Sequence, residues 1–302
     1  MDTVALTERP LRMDDARAVF EVMAAQELHD LGMVEIEEAD IVGDWARPSF
    51  DVGASTLGVF DGDRLVGYAE VSSGDRGDAS VHPAYRGRGI GTRLAGWMQD
   101  TARARGATVI GMPVPQGSPG DRLLADLGYH VRWTSWVLKL PAGASVLERE
   151  LPAGYAVRAA EEREYRRVHE VVEDAFLEWS VREREPFADF AASVLGRPGF
   201  EPWNLRVVVD PTGDVVGVAY VVMAETADGR DPEAYISRLA VRRDLRGRGL
   251  AQALMVDAFA AARAHGALVS GLSTDSRTGA LGLYEKVGME ITSVWVNRAI
   301  SW

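Results

Sequence analysis

The chain contains no cysteine. Disulfides, Cys-ligated zinc, iron–sulfur clusters and an acyl-cysteine intermediate are therefore excluded, and any group transfer must run without a thiol nucleophile. Lysine is nearly absent too: Lys139 and Lys286 are the only ones, and neither follows a glycine as a Walker A loop demands. The five histidines, His29, His82, His130, His169 and His265, show no metal-ligand spacing, so no metal is expected. No apolar run reaches the roughly 18 residues of a membrane span, and the N-terminal M-D-T-V-A-L-T-E-R-P lacks a basic region followed by an apolar core; the expectation is no membrane partner and a cytoplasmic location. Positive charge is the minority sign, with 33 Lys and Arg against 45 Asp and Glu and a net charge of −12. That balance disfavours nucleic acid as a partner and leans toward an amine-bearing ligand.

What is present is enough for two ordinary domains: 302 residues, 47% apolar and 26% charged. The most informative stretch is V-R-R-D-L-R-G-R-G-L-A-Q-A-L from Val241 to Leu254. A short apolar run stops at a glycine-broken basic turn, Arg246-Gly247-Arg248-Gly249-Leu250-Ala251, and an Ala/Leu-rich helical pattern follows. Glycines let backbone N–H groups approach a ligand closely, and the helix start adds positive potential, so such a turn suits phosphate. The same motif stands earlier as Arg86-Gly87-Arg88-Gly89-Ile90-Gly91. A dinucleotide-binding G-x-G-x-x-G is ruled out because Thr92 and Gln252 occupy the last glycine position.

Spacing turns this likeness into a repeat. Arg86 and Arg246 are 160 residues apart, as are Gly106 and Gly266, and Gly128 and Gly288. A period this long means tandem domains, since solenoid repeats run about 20–50 residues. Each half reads as strand, helices, an antiparallel hairpin, a strand into the glycine turn, a helix, a strand, a short helix and a long strand. The hairpins turn at Asp61-Gly62-Asp63 and Pro211-Thr212-Gly213-Asp214, and a linker is placed at 140–154, where two Pro-Ala-Gly punctuations fall. The expected domains are 1–144 and 145–302. The second carries about ten extra residues, Ala227–Asp231 among them, between its third and fourth strands.

R-x-x-G-x-[G/A] between a strand and a helix, within this element order, resembles the acyl-CoA-binding motif of the GNAT acyltransferase superfamily, and the resemblance covers both halves. It implies an α/β (α+β) fold: two tandem GNAT domains, each a mixed, mostly antiparallel sheet flanked by helices, with a splayed central parallel strand pair. It also implies acetyl-CoA as co-substrate, cradled by Arg246, Gly247, Arg248, Gly249, Leu250 and Ala251 and lined by Leu239, Ala240 and Val241. The first half offers Val81, Arg86, Gly87, Arg88, Gly89, Ile90 and Gly91 as a second cradle. A family landmark, Tyr four residues before Gly in A-x-x-L-Y-x-x-x-G-[F/M], is met by Ala280, Leu283, Tyr284, Gly288 and Met289. Tyr284 is thereby implied as the general acid for the leaving thiolate, a buried packing tyrosine being the competing reading. In the first half Leu124 and Gly120 stand at the equivalents of Tyr284 and Ala280. Leucine cannot donate a proton, and the first domain is expected to be catalytically silent.

The family's usual strand-borne base position is Tyr235 here. Glu233, two residues earlier on the same strand face, is the preferred base, with Glu225 and Asp275 as alternatives. Arg277 occupies a position where relatives often carry Asn. With no cysteine and no nucleophile elbow, direct attack by a primary amine in a ternary complex is the expected chemistry, with main-chain N–H groups near Leu239 holding the oxyanion. The two-domain plan is similar to that of the mycothiol synthases, which acetylate a cysteinyl-glucosamine-inositol amine; aminoglycoside-type and peptide-type acceptors fit the residues equally well. A non-catalytic acyl-CoA-binding or sensing role is the alternative class. Trp179, Phe187, Phe200 and Trp203 are candidates for an aromatic acceptor wall against a reading as plain core. Monomer and homodimer both remain open.

Overall fold

The computed structural model describes residues 6–72, 74–141, 143–224 and 231–302. They form two compact units, one made of the described residues up to Thr134 together with Val294–Trp302, the other of those within Ser135–Ser293. The first unit runs β1 (Thr7–Arg9), α1 (Ala16–Leu31), α2 (Glu38–Trp45), α3 (Val52–Ser55), β2 (Thr56–Asp61), β3 (Arg64–Val71), β4 (Gly77–Val81), α4 (Ile90–Ala104), β5 (Val109–Pro115) and α5 (Pro119–Asp126). Strand β6 (His130–Lys139) begins in this unit and ends in the second. The second unit continues with β7 (Ala156–Ala159), α6 (Tyr165–Phe176), α7 (Phe187–Phe190), β8 (Leu205–Val209), β9 (Val215–Ala224), β10 (Glu233–Val241), α8 (Leu250–Ala264), β11 (Val269–Asp275) and α9 (Leu281–Lys286). Strand β12 (Glu290–Ser301) starts in the second unit and finishes in the first. The tandem, mixed fold expected from the repeat is therefore observed.

In the second unit, β7 to β10 form an antiparallel run, β10 pairs in parallel with β11, and β11 pairs antiparallel with the Ser135–Lys139 part of β6. In the first, β1 to β4 are antiparallel, and β5 pairs with the Trp295–Ser301 part of β12. Each sheet is thus completed by a segment from the opposite half of the sequence. Among the described residues no helix is long and apolar enough to cross a membrane.

The central strands are buried on both faces, which is why β8, Leu-Arg-Val-Val-Val, and the first seven residues of β9, Val-Val-Gly-Val-Ala-Tyr-Val, show little polar alternation. Val208, Val216, Ala219 and Ile236 pack toward Leu250, Leu254, Met255 and Phe259 of α8. Val207, Val218, Tyr220 and Ala240 pack on the other face with Val168, Val171 and Val172 of α6. Two glycines set the helix-to-sheet distance. A Cβ on Gly67 would lie 2.8 Å from Ile90 Cγ2, and one on Gly217 would lie 3.1 Å from Leu254 Cδ1 and 3.2 Å from the Ala240 carbonyl. These approaches bring the starts of α4 and α8 down onto the sheet, beside the glycine turns.

Replacing Gly67 by Val should cost about 1–3 kcal/mol by overpacking. Gly96, within α4, faces open space, and Gly96→Ala should gain about 0.5–1 kcal/mol. Urea unfolding of the two variants beside the parent checks both signs.

Candidate active site

The central feature is a break in pairing. Strand β10 pairs with β11 only from Glu233–Val269 to Ile236–Leu272. Beyond that point β10 stays on β9 as far as Val241, and β11 stays on β6 as far as Asp275. The two parallel strands part in the middle of the sheet. At the point of parting the β10–β9 register shifts between Ile236 and Arg238, leaving Ser237 as the extra residue of a bulge. A bulge bends its strand and raises its twist, which is what aims β10 away from β11. In the first unit the parting is more complete: among the described residues β4 and β5 are joined only through the residues before β4, by one parallel bridge from Arg76 to Gly111 and the Gly111 N–H donating to the Asp75 carbonyl at 2.8 Å.

Each parted strand leads into a glycine turn, and the two turns share one backbone path. In the second unit a 3-10 turn, Arg243–Leu245, leads to extended Arg246 (φ −66, ψ 161), then Gly247 (φ 77) and Gly249 (φ 84) before α8. In the first, Pro83–Tyr85 leads to Arg86 (φ −65, ψ 160), then Gly87 (φ 74) and Gly89 (φ 81) before α4. The positive φ values are the reason for glycine at these four places. Among the described residues nothing accepts from the N–H groups of Gly247, Arg248 and Gly249, or of Gly87, Arg88 and Gly89. With the first N–H groups of the helix they form a row of unpaired donors, the arrangement that binds anions.

The leading arginines of the turns play a different part from the one their sequence suggests. Arg246 forks onto Glu178 (Nη1–Oε2 2.9 Å, Nη2–Oε1 2.8 Å), and its Nε donates to the Val241 carbonyl at 3.1 Å. Arg86 makes the same fork onto Asp30 at 2.7 and 2.8 Å. Asp30 stands in the last turn of α1 and Glu178 just past the end of α6. These arginines therefore brace the turn against the first long helix of their unit. Arg248 is exposed and has no ion pair or hydrogen bond among the described residues, whereas Arg88 lies 4.7 Å over the Tyr85 ring.

Tyr284 lies on α9, 7% exposed, packed among residues that include Leu272 and Leu250. Its hydroxyl has no hydrogen-bond partner among the described residues, and burial, with Tyr235 nearby, pushes its pKa up to about 12. The equivalent Leu124 is a fully packed core side chain, 2% exposed. Leu239 and Val241 turn toward the α8 face and Ala240 toward the α6 face. Glu233 is bound by Lys139, Nζ–Oε2 2.7 Å, both partly buried. Asp275 is forked by Arg277 at 2.6 and 3.1 Å and caps the turn before α9. Glu225 and residues 226–230 of the insertion lie outside the described residues.

The four aromatics do not form one wall. Phe187 and Phe200 pack on the α6-side core, Trp203 packs on the α8-side core and stacks on His265 at 4.0 Å, and Trp179 lies against Phe176 and under Arg277. Helix α7 and the turns around it pull them to different faces.

The polar network at the C-terminal end of α6 had no signal in the sequence beyond a charged residue in an apolar stripe. Glu173 is 0% exposed. Burial pushes its carboxyl up, but the Arg182 fork at 2.6 and 2.8 Å and the Glu185 N–H at 2.8 Å outweigh that and hold it below its usual range. Glu185 in turn pairs with Arg238 of β10 at 3.1 Å. The 177–186 loop is thereby tied to the parted strand and, through Glu178, to the turn.

The chain matches the Acetyltransferase (GNAT) family over residues 20–128 and 157–289. The chain belongs to the GNAT family. Among curated relatives it is 31% identical to a mycothiol acetyltransferase of Thermobispora bispora over 256 residues, covering 78% of this chain and 80% of that one. It is 32% identical to a mycothiol acetyltransferase of Salinispora arenicola, with 77% of each chain covered. Among solved structures, a GCN5-related N-acetyltransferase from Sphaerobacter thermophilus aligns at TM-score 0.73 and 26% identity over 98% of this chain and 95% of that one. A tandem GNAT protein from the clavulanic acid biosynthesis pathway shares the fold at TM-score 0.73 and 21% identity, with 98% of each chain covered. As a GNAT member the protein is an acyl-CoA-dependent N-acetyltransferase, and the parted strands and anion-binding turns are the features such an enzyme needs.

The first GNAT unit holds a second unforeseen group, a set of interacting carboxyls on the α1–α2 side. Asp78 stands directly across from Glu70 in the β4–β3 ladder, and Glu70 accepts from Trp45 Nε1 at 3.0 Å. Burial, then the Glu70 charge, raises the Asp78 pKa to about 6. Glu27 of α1 accepts from the N–H groups of Glu35 and Ile36 at 2.6 and 2.9 Å, yet burial still lifts its pKa to about 7. Because the folded-state value exceeds the ordinary 4.5, the native state holds the extra proton and loses stability as pH rises from about 4.5 to about 7. Glu27→Gln keeps an acceptor for those N–H groups without the charge. Its stability relative to the parent should therefore rise between pH 4.5 and pH 8, by up to about 3 kcal/mol, in paired thermal melts.

Proposed function

We propose that the protein transfers an acetyl group from acetyl-CoA to the primary amine of a small molecule, with the chemistry in the second domain, 145–302. The observation that carries this reading is the coincidence, in one unit, of a parted β10–β11 pair, a turn of unpaired N–H donors at its end, and a buried tyrosine whose hydroxyl has no partner among the described residues. The diphosphate lies on the N–H row of Gly247–Ala251, and the pantetheine arm and thioester run into the gap beside Leu239, Ala240 and Val241. A family member working by direct attack forms the C–N bond first, giving a tetrahedral adduct whose collapse breaks the C–S bond, with no acyl-enzyme.

The proton balance falls to two groups. Glu233, which accepts from Lys139, takes the first proton from the acceptor ammonium and frees the amine, with Tyr235 following it on the same strand face. Tyr284, held protonated by burial, hydrogen-bonds the departing sulfur and gives it a proton, and the second N–H proton, shed by the attacked nitrogen, restores the phenol; the same burial raises the basicity of the developing thiolate. The main-chain N–H groups of β10 near Leu239 hold the tetrahedral oxyanion.

The first domain, 1–144, keeps the turn of Arg86–Gly91 with Val81 leading into it, but has Leu124 in place of the acid. We infer that it binds or once bound acyl-CoA without turning it over. The acceptor is of the mycothiol-precursor type, supported by the names of the two relatives at 31% and 32% identity. The same reading makes the protein cytoplasmic, free of nucleic acid and membrane partners, and a monomer or homodimer.

Tyr284→Phe should lower kcat by about 10²-fold while leaving acetyl-CoA affinity intact; unchanged turnover would remove Tyr284 from the chemistry. Glu233→Gln should cost about 10²-fold in kcat/KM, and an unchanged kcat/KM would remove Glu233 as the base. Thiol release measured with a panel of amines, the mycothiol precursor among them, tests the acceptor.

A further inference from the structure

The connection between the repeats does more than join them. Within the second unit, Val146 is 5% exposed and packed in the α8-side core. The next carbonyl, of Leu147, accepts from Gln252 Nε2 in the first turn of α8 at 2.6 Å. Two residues on, the Arg149 side chain lies across Gly249: a Cβ built there would meet Arg149 Cδ at 2.7 Å and Nε at 2.9 Å. The connecting segment is therefore pinned at two points, and the pinning sets a third guanidinium on the glycine turn. The matching glycine of the first unit, Gly89, has nothing within 4 Å.

Charge shows what the third arginine is for. Two of the cations around the second turn are engaged, Arg246 with Glu178, and Arg242 with Asp244 at 2.7 Å. Arg149, like Arg248, has no ion pair or hydrogen bond among the described residues. A segment placed there to shut the turn would gain from an acid to lock onto, and Asp244 is already taken. Instead an unneutralised guanidinium stands beside a row of unpaired N–H donors, a positive concentration that an anion relieves.

We infer that Arg149, supplied by the connecting segment and absent from the family motif, is a donor-binding residue whose guanidinium contacts the diphosphate of acyl-CoA in the second cradle. The inference rests on the reading of that cradle as the acyl-CoA site. It makes the second turn a three-sided anion site of N–H row, Arg248 and Arg149, whereas the first turn has no arginine laid over its glycine.

Calorimetric titration of the full chain with CoA, 3′-dephospho-CoA and pantetheine tests it, using Arg149→Ala, Arg149→Lys and Arg149→Glu. Arg149→Ala should weaken CoA by about 10-fold and Arg149→Glu by more, with Arg149→Lys between the parent and the alanine variant. The alanine penalty should persist with 3′-dephospho-CoA and vanish with pantetheine. An affinity for CoA that is unchanged or tighter in Arg149→Ala overturns the inference, tighter binding marking the segment as an obstruction. A penalty that disappears with 3′-dephospho-CoA overturns the diphosphate assignment in favour of the ribose phosphate. Gly249→Val separates the two levels. If it abolishes CoA binding while Arg149→Ala does not weaken it, the cradle stands and Arg149 falls; if the parent binds no CoA, both fall.

Discussion

A sheet normally pairs every central backbone group, and this fold depends on a place where it does not. Past Ile236 and Leu272 the N–H and C=O groups on the facing edges of β10 and β11 lose each other as partners. Buried backbone groups left unpaired are costly, so such a gap persists only where surrounding structure enforces it and where something else can fill it. Enforcement comes from both sides: β9 holds β10 through the bulge at Ser237, and β6 holds β11. A ligand with amide groups of its own, such as the pantetheine arm, matches the bonding that the gap leaves open.

The other site features follow from that parting. Because β10 is bent outward, its end delivers the chain to the glycine turn, and Gly217 lets α8 settle close enough for the turn to face the gap. The forks of Arg246 on Glu178 and Arg86 on Asp30 then fix turn to helix in both units. A bidentate guanidinium–carboxylate pair sets direction as well as distance, so the donors of the turn keep their aim with no ligand bound. The Arg238–Glu185–Glu173–Arg182 chain does the same for the 177–186 loop.

Much of this was legible in the sequence because it is local. The glycine turns, the hairpins and the Tyr284-for-Leu124 difference are written in contiguous residues and aligned by the 160-residue register. The function of the leading arginines was not legible, since their partners lie 56 and 68 residues away and nothing local distinguishes a guanidinium aimed at phosphate from one aimed at a helix end. The same holds for Ser237, whose role exists only relative to the register of β9. It holds also for Asp78 and Glu70, which read as ordinary strand polar residues until the ladder sets them opposite one another. The aromatic wall failed because four rings close in sequence were sent to two faces of the sheet.

The crossing of terminal strands also bears on how the molecule is made. Strand β5 belongs to the first half of the sequence, yet its antiparallel partner, Trp295–Ser301, follows only after the whole of the second unit. The first unit must therefore wait with an open sheet edge while the entire second half is translated, exposed to the pairing errors that unprotected edges invite. The order of synthesis runs from first half to second, but completion of the first half comes last.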